Sequence, residues 1–112
     1  LIGWLDTEYF WYGEDIDFCY RIKQKGGKIM YIPDTKIIHL KGISSGIKRH
    51  SAHLSSASHK IKMNATKARF EVMRIFYKKH YFSLYPAWLT KIVFLGVTLL
   101  EKIISEKYKD KV

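Results

Sequence analysis

The chain has 112 residues, enough for one modest domain with a single core. Its hydrophobic fraction of 47% and aromatic fraction of 15% exclude a disordered tail, and a lone cysteine, Cys19, excludes an internal disulfide framework or a cysteine-built zinc site. The net charge of +10 is uneven: bases and acids balance through Ile47, whereas fourteen bases face four acids from Lys48 onward, which fits either an anionic partner or a merely solvated basic surface.

The opening LIGWLDTEYFWY enters directly on aromatic sequence. It reads as the C-terminal part of something longer, so a site carried here is expected to be half a site. Residues 14–25 predict a helix of about three turns, closed by Gly26-Gly27, where a glycine takes the left-handed C-terminal position. The alternating run KIMYIP, stopped by Pro33, predicts a short strand. Pro33-Asp34 predicts a turn, and TKIIHL a second strand. A Gly/Ser/His-rich loop follows. His50-x-x-His53 within it has metal-ligand spacing, but no carboxylate or cysteine lies nearby to complete a site.

A long helix is predicted from Asn64, as N-cap, to about Tyr81. Phe70, Met73, Phe76, Tyr77 and Tyr81 form its apolar stripe, with Lys67, Glu71, Arg74 and Lys78 opposite. Pro86 favours a fresh helix start, and a last helix is predicted over 86–107. Its uninterrupted apolar run, 92–100, is far shorter than the roughly 20 residues a bilayer span needs. Trp88, Ile92, Leu95, Leu99 and Ile103 share one side, and Lys91, Thr98, Lys102, Ser105 and Lys109 another. Such a basic amphipathic helix lies on an anionic membrane surface or packs onto protein.

The first helix opens with Glu14, Asp15 and Asp17. Helix starts favour acids because of their unpaired N–H groups and positive dipole end. At 100° per residue Asp15 falls at the centre of an apolar stripe made by Phe18, Cys19 and Ile22. Asp17 falls on the polar face beside Arg21, a surface pair worth a few tenths of a kcal/mol. The two aspartates diverge too far to share one metal ion. Asp15, facing inward, either anchors the preceding aromatic loop or lines a cleft.

The stretch 3–45 resembles the C-terminal half of the catalytic domain of family 2 glycosyltransferases, in particular the rhamnosyltransferase-like branch of bacterial polysaccharide and cell-envelope biosynthesis. The matching residues are Gly3, Leu5-Asp6-Thr7 and Tyr9-Phe10, then Glu14, Asp15, Asp17, Phe18, Cys19 and Arg21. Gly27-Lys28-Ile29, Ile32-Pro33 and Ile38-His39 with Gly42 and Ser44 follow in order. FYKKHY, from Phe76 to Tyr81, resembles the family's aromatic-basic segment. Thr7 stands where the family carries glutamate, and Leu5 where it commonly carries Phe.

The resemblance implies an α/β fold: the C-terminal portion of a GT-A-like nucleotide-sugar transferase, a helix plus short strands, followed by two long C-terminal helices. It implies inverting transfer of a sugar, rhamnose by branch, from a nucleotide-sugar donor to a saccharide or lipid-linked acceptor. Asp15 would be the general base and Glu14, Asp6 and Trp11 substrate-binding residues. A divalent cation, Mg2+ or Mn2+, would neutralise the diphosphate, with His39 near it; Lys41, Lys48 and Arg49 are candidates for the diphosphate itself. Chemically, an imidazole suits Mn2+ better than Mg2+.

The expected organisation is 1–47, acceptor-side part of the catalytic domain; 48–63, basic Ser/His-rich loop; 64–112, basic helical extension. The expected location is the cytoplasmic side, peripheral to the inner face of the cell membrane through the last helix. Two alternatives stand beside this: a non-catalytic basic module for anionic lipid or nucleic acid, and a degenerate transferase kept as scaffold. Nucleic acid is disfavoured because the bases follow no recognised reading motif. With no phosphate-binding glycine loop in the sequence, the 112 residues alone are expected to leave a nucleotide-sugar intact. An assay for released nucleoside diphosphate checks this.

Overall fold

The computed structural model describes residues 2–38, 45 and 54–109, with side chains through 106. Three helices make up the regular structure of these residues: α1 (Glu14–Gln24), α2 (His59–His80) and α3 (Ala87–Lys109). Among the described residues there is no strand, so the fold is all-helical and the α/β expectation is corrected. The first expected strand and the described part of the second, 35–38, fall in a segment, 28–38, that is irregular and exposed throughout; His39 and Leu40 lie outside the described residues. Ile29 to Ile32 alternate as a strand should, yet a strand also needs a neighbouring edge for its N–H and C=O groups. None of the described residues offers one. The turn at Pro33-Asp34 is present.

α1 ends as its glycines require. Gly26 has φ +79°, its N–H bonds Lys23 O at 3.0 Å, and the Gly27 N–H reaches Ile22 O at 2.9 Å. These are the two bonds of a Schellman closure. At the other end Gly13 sits at φ +91° as the N-cap residue, with no side-chain cap bond.

α2 starts five residues before the predicted Asn64. Ser58 is the N-cap, its hydroxyl accepting from the Ile61 N–H at 3.3 Å. No glycine or proline separates Ser58 from Asn64, so a good cap upstream captures the intervening residues. Residues 59–63 are thus helix rather than loop. Within α2, Ala65, Thr66, Phe70 and Ile75 are buried. Met73 is 41% exposed despite its place in the expected stripe.

The short connection through Pro86 folds α3 back along α2. Tyr77 meets Phe94 edge-on with centroids 5.5 Å apart, and the Tyr77 and Thr90 hydroxyls lie 3.2 Å apart. Arg74, expected on the solvated face, instead reaches across to Glu101 at 2.6 Å and Thr98 at 3.3 Å. Among the described residues no helix is long and apolar enough to cross a membrane.

α1 packs on α2 through Gly13. A Cβ at that position would collide with the Val72 side chain and crowd the Tyr9 ring, and β-branched valine has little rotamer freedom to give way. Gly13→Ala combines this clash with a left-handed backbone that alanine resists. It is expected to cost about 1–3 kcal/mol, measured by denaturant unfolding followed through the helical circular-dichroism signal.

Candidate functional site

Asp17 is the buried acid of α1, with no exposed surface. Its Oδ1 accepts from the Tyr9 hydroxyl at 3.1 Å and lies 2.7 Å from His80 Nε2; its Oδ2 accepts from Arg21 Nε at 2.7 Å. An ionised carboxylate only accepts, so Nε2 of His80 carries the donated proton. The Arg21 guanidinium also donates to the carbonyls of Ile2 and of Trp4, the latter at 2.8 Å. One carboxylate therefore joins the opening loop, α1 and the C-terminal end of α2. The His80 ring is held between Tyr20 and Phe76, with centroids 4.4 and 4.6 Å away.

Burial alone would raise the Asp17 pKa. The hydrogen bonds from His80, Arg21 and Tyr9 together outweigh it, so the carboxyl titrates below its ordinary value. Burial and the neighbouring Asp17 carboxylate push the Tyr9 hydroxyl well above its usual range. A second ionic cluster lies alongside: Lys79 bridges Asp6 and Glu8 and sits 5.2 Å from the centre of the Tyr9 ring. The Lys79 hydrogen bond, helped by the Glu8 N–H, holds Asp6 below the normal carboxylate value.

The helical-wheel placement of the two aspartates is reversed in the structure. Asp15 is exposed and its Oδ1 takes the Ile16 N–H at 2.8 Å. Asp17, expected as a surface partner of Arg21, is the inward one. The reason lies in what α2 presents. Val72, Phe76 and His80 meet the side of α1 that carries Gly13, Asp17 and Tyr20, while Ile16, on another side, is 60% exposed.

Glu14 is half-buried, and its Oε2 is sealed from solvent with no hydrogen-bond partner. Trp11 holds φ +80°, rare for a bulky residue, and stacks on Tyr12 with ring centres 6.5 Å apart. Asp6, expected to bind substrate, has its carboxylate engaged by Lys79 and the Glu8 N–H. Asp6, Glu14, Asp15 and Trp11 thus lie within one short stretch around the start of α1. His39, Lys41, Lys48 and Arg49, like His50 and His53, lie outside the described residues. Tyr9, Lys79 and His80 fall within the Tyr9-Phe10 and FYKKHY motifs of the sequence, which carry no sign of a role at this site. The Asp17-x-x-x-Arg21 spacing was visible, but nothing in it marks a partner 63 positions away.

Among the described residues no three His, Cys, Asp or Glu side chains converge as a metal site. Asp17 is already satisfied by three donors and Asp15 points elsewhere; His39, the residue expected near the divalent cation, lies outside the described residues. An apolar recess of about 310 Å³ adjoins α1, lined by Gly13, Ile16, Val72 and Phe76 among others. Comparison of the chain with models of known families, with characterised proteins and with solved structures returns no match.

The depressed Asp17 pKa makes stability depend on acid. Ionised Asp17 contributes fully above the ordinary carboxyl value of 3.8, and the contribution is lost as pH falls through the lower folded value. Asp17→Asn should cost about 3 kcal/mol by stranding His80 and Arg21. It should also flatten the acid limb of the stability–pH profile, measured by urea unfolding across that range.

Proposed function

We propose that this chain is the acceptor-side part of an inverting glycosyltransferase, with Asp15 as general base. The observation that carries the reading is the division of labour at the start of α1. Asp17 is locked into a buried network, and two residues earlier Asp15 stands on the first helical turn, exposed and ionisable. In the proposed step Asp15 accepts the proton of an acceptor sugar hydroxyl. That oxygen bonds to the anomeric carbon of the donor, and the carbon–oxygen bond to the diphosphate breaks, its electron pair leaving with the nucleoside diphosphate. Half-buried beside Asp15, Glu14 would orient the acceptor, and Trp11 would give its ring a stacking surface.

An exposed base needs a second wall. In the sequence on either side of α1 and on the helix itself, Trp4, Phe10, Ile16, Met30, Tyr31, Ile37 and Ile38 are all more than half exposed. Isolated apolar residues on a surface are ordinary, but a concentration of this kind marks an interface. The reading assigns that interface to the donor-binding part of the same enzyme, which would also supply the groups for the divalent cation. Donor and acceptor would be a nucleotide-sugar and a saccharide or lipid-linked saccharide. The enzyme would work at the cytoplasmic face of the cell membrane as a peripheral protein.

A second reading, a non-catalytic binding module, is favoured by the basic excess after Ile47. The two separate on one substitution. In the full-length protein, Asp15→Asn should lower sugar transfer by about 10²–10⁴-fold while leaving folding and donor binding intact. Transfer within a few-fold of the unsubstituted enzyme would remove Asp15 from the chemistry.

A further inference from the structure

α3 is apolar on two sides, and among the described residues α2 covers one of them. The covered side is fixed by Thr90, Phe94 and Glu101, which meet Tyr77 and Arg74. Roughly opposite runs a stripe of Trp88, Ile92, Leu95, Leu99 and Ile103, each half or more exposed. At 1.5 Å per residue this stripe is about 22 Å long, and at 100° per residue its members stay within some 60° of its midline. Phe82 and Leu84, in the connection before the helix, are also more than half exposed.

We propose that this stripe is a docking surface for a bilayer containing anionic phospholipid, on which α3 lies in the plane of the membrane. Three observations select this occupant. Lys91 and Lys102 are exposed along one flank of the stripe, where long amphipathic side chains can keep their charges at headgroup level while their stems follow the apolar face. The chain is strongly basic, with its excess confined to the part that carries α2 and α3, and each base near an anionic surface adds attraction. Finally, Trp88 stands at the head of the stripe, and tryptophan favours the membrane–water boundary. No described helix is long and apolar enough to span, so the geometry is that of an interfacial helix.

This inference deepens the membrane-peripheral location proposed above and rests on it, but not on the transfer chemistry. Its test therefore reads binding rather than turnover. Full-length protein is sedimented with vesicles of phosphatidylcholine alone and of an equimolar phosphatidylcholine–phosphatidylglycerol mixture. Partitioning onto the anionic vesicles should be about 10-fold stronger or more, and should weaken with added salt. Leu95→Glu with Leu99→Glu should reduce it at least about 10-fold, with helix content unchanged because both side chains are exposed. Lys91→Glu with Lys102→Glu, which leaves the apolar stripe intact, should bring anionic binding down toward the neutral-vesicle level.

Equal binding to both vesicle types, or none to either, would overturn the proposal. So would anionic binding that survives both double substitutions. Self-association abolished by Leu95→Glu with Leu99→Glu, in the absence of lipid binding, would assign the stripe to a second copy instead. None of these results bears on Asp15, whose test is turnover.

Discussion

A single buried negative charge sets the arrangement of this chain. Moving a carboxylate out of water costs several kcal/mol unless donors replace its hydration. Asp17 receives three, from Tyr9, Arg21 and His80, each from a different place in the chain. The replacement is collective, because the position of each donor depends on the others. Arg21 also holds the carbonyls of Ile2 and Trp4, and His80 is wedged between Tyr20 and Phe76. α1 is too short to be stable alone in water; the network, together with the close seat of Gly13 on Val72, ties it to the longer α2. Fixing α1 in this way also fixes the direction in which Glu14 and Asp15 stand.

What the sequence could and could not convey follows from the range of the forces involved. Helix ends are set by local chemistry, and the local signals were read correctly at Gly26-Gly27 and within a residue at Pro86. The start of α2 was misplaced because Asn64 and Ser58 are both competent caps, and no local rule says which one wins. The inward face of α1 was misread for a different reason. Periodicity locates apolar residues, and the usual inference equates their side with the core. Here α2 meets a side defined by glycine, tyrosine and a charged pair, and the opposition of Asp17 to His80 is invisible without the fold. The strands failed because pairing is a property of two segments, and alternation in Ile29–Ile32 describes only one.

The same limit governs the proposed site. The cluster of Asp6, Trp11, Glu14 and Asp15 around the start of α1 was legible, since a turn of helix and its approach loop cannot carry their residues far apart. The engagement of Asp6 by Lys79 was not, because it bridges 73 positions. Ionic pairs at that separation move residues between roles. Asp6 becomes a structural ligand of Lys79, and Asp17 becomes an anchor. Of the acids on α1, Asp15 is the one whose carboxylate is exposed, whereas the unpartnered Oε2 of Glu14 is sealed from solvent.

Among the described residues, exposed apolar side chains gather around α1 and along α3, and the charges beside them differ. The surface around α1 carries Glu14 and Asp15 beside the exposed Lys23 and Lys25, so it offers an anionic bilayer no excess of positive charge. The stripe on α3 is flanked by Lys91 and Lys102 and would attract the same bilayer. α2 keeps the two apart: Val72, Phe76 and His80 face α1, while Arg74 and Tyr77 face α3. With the stripe on lipid, α2 would stand between the membrane and α1, and the acids would sit above the surface instead of in it.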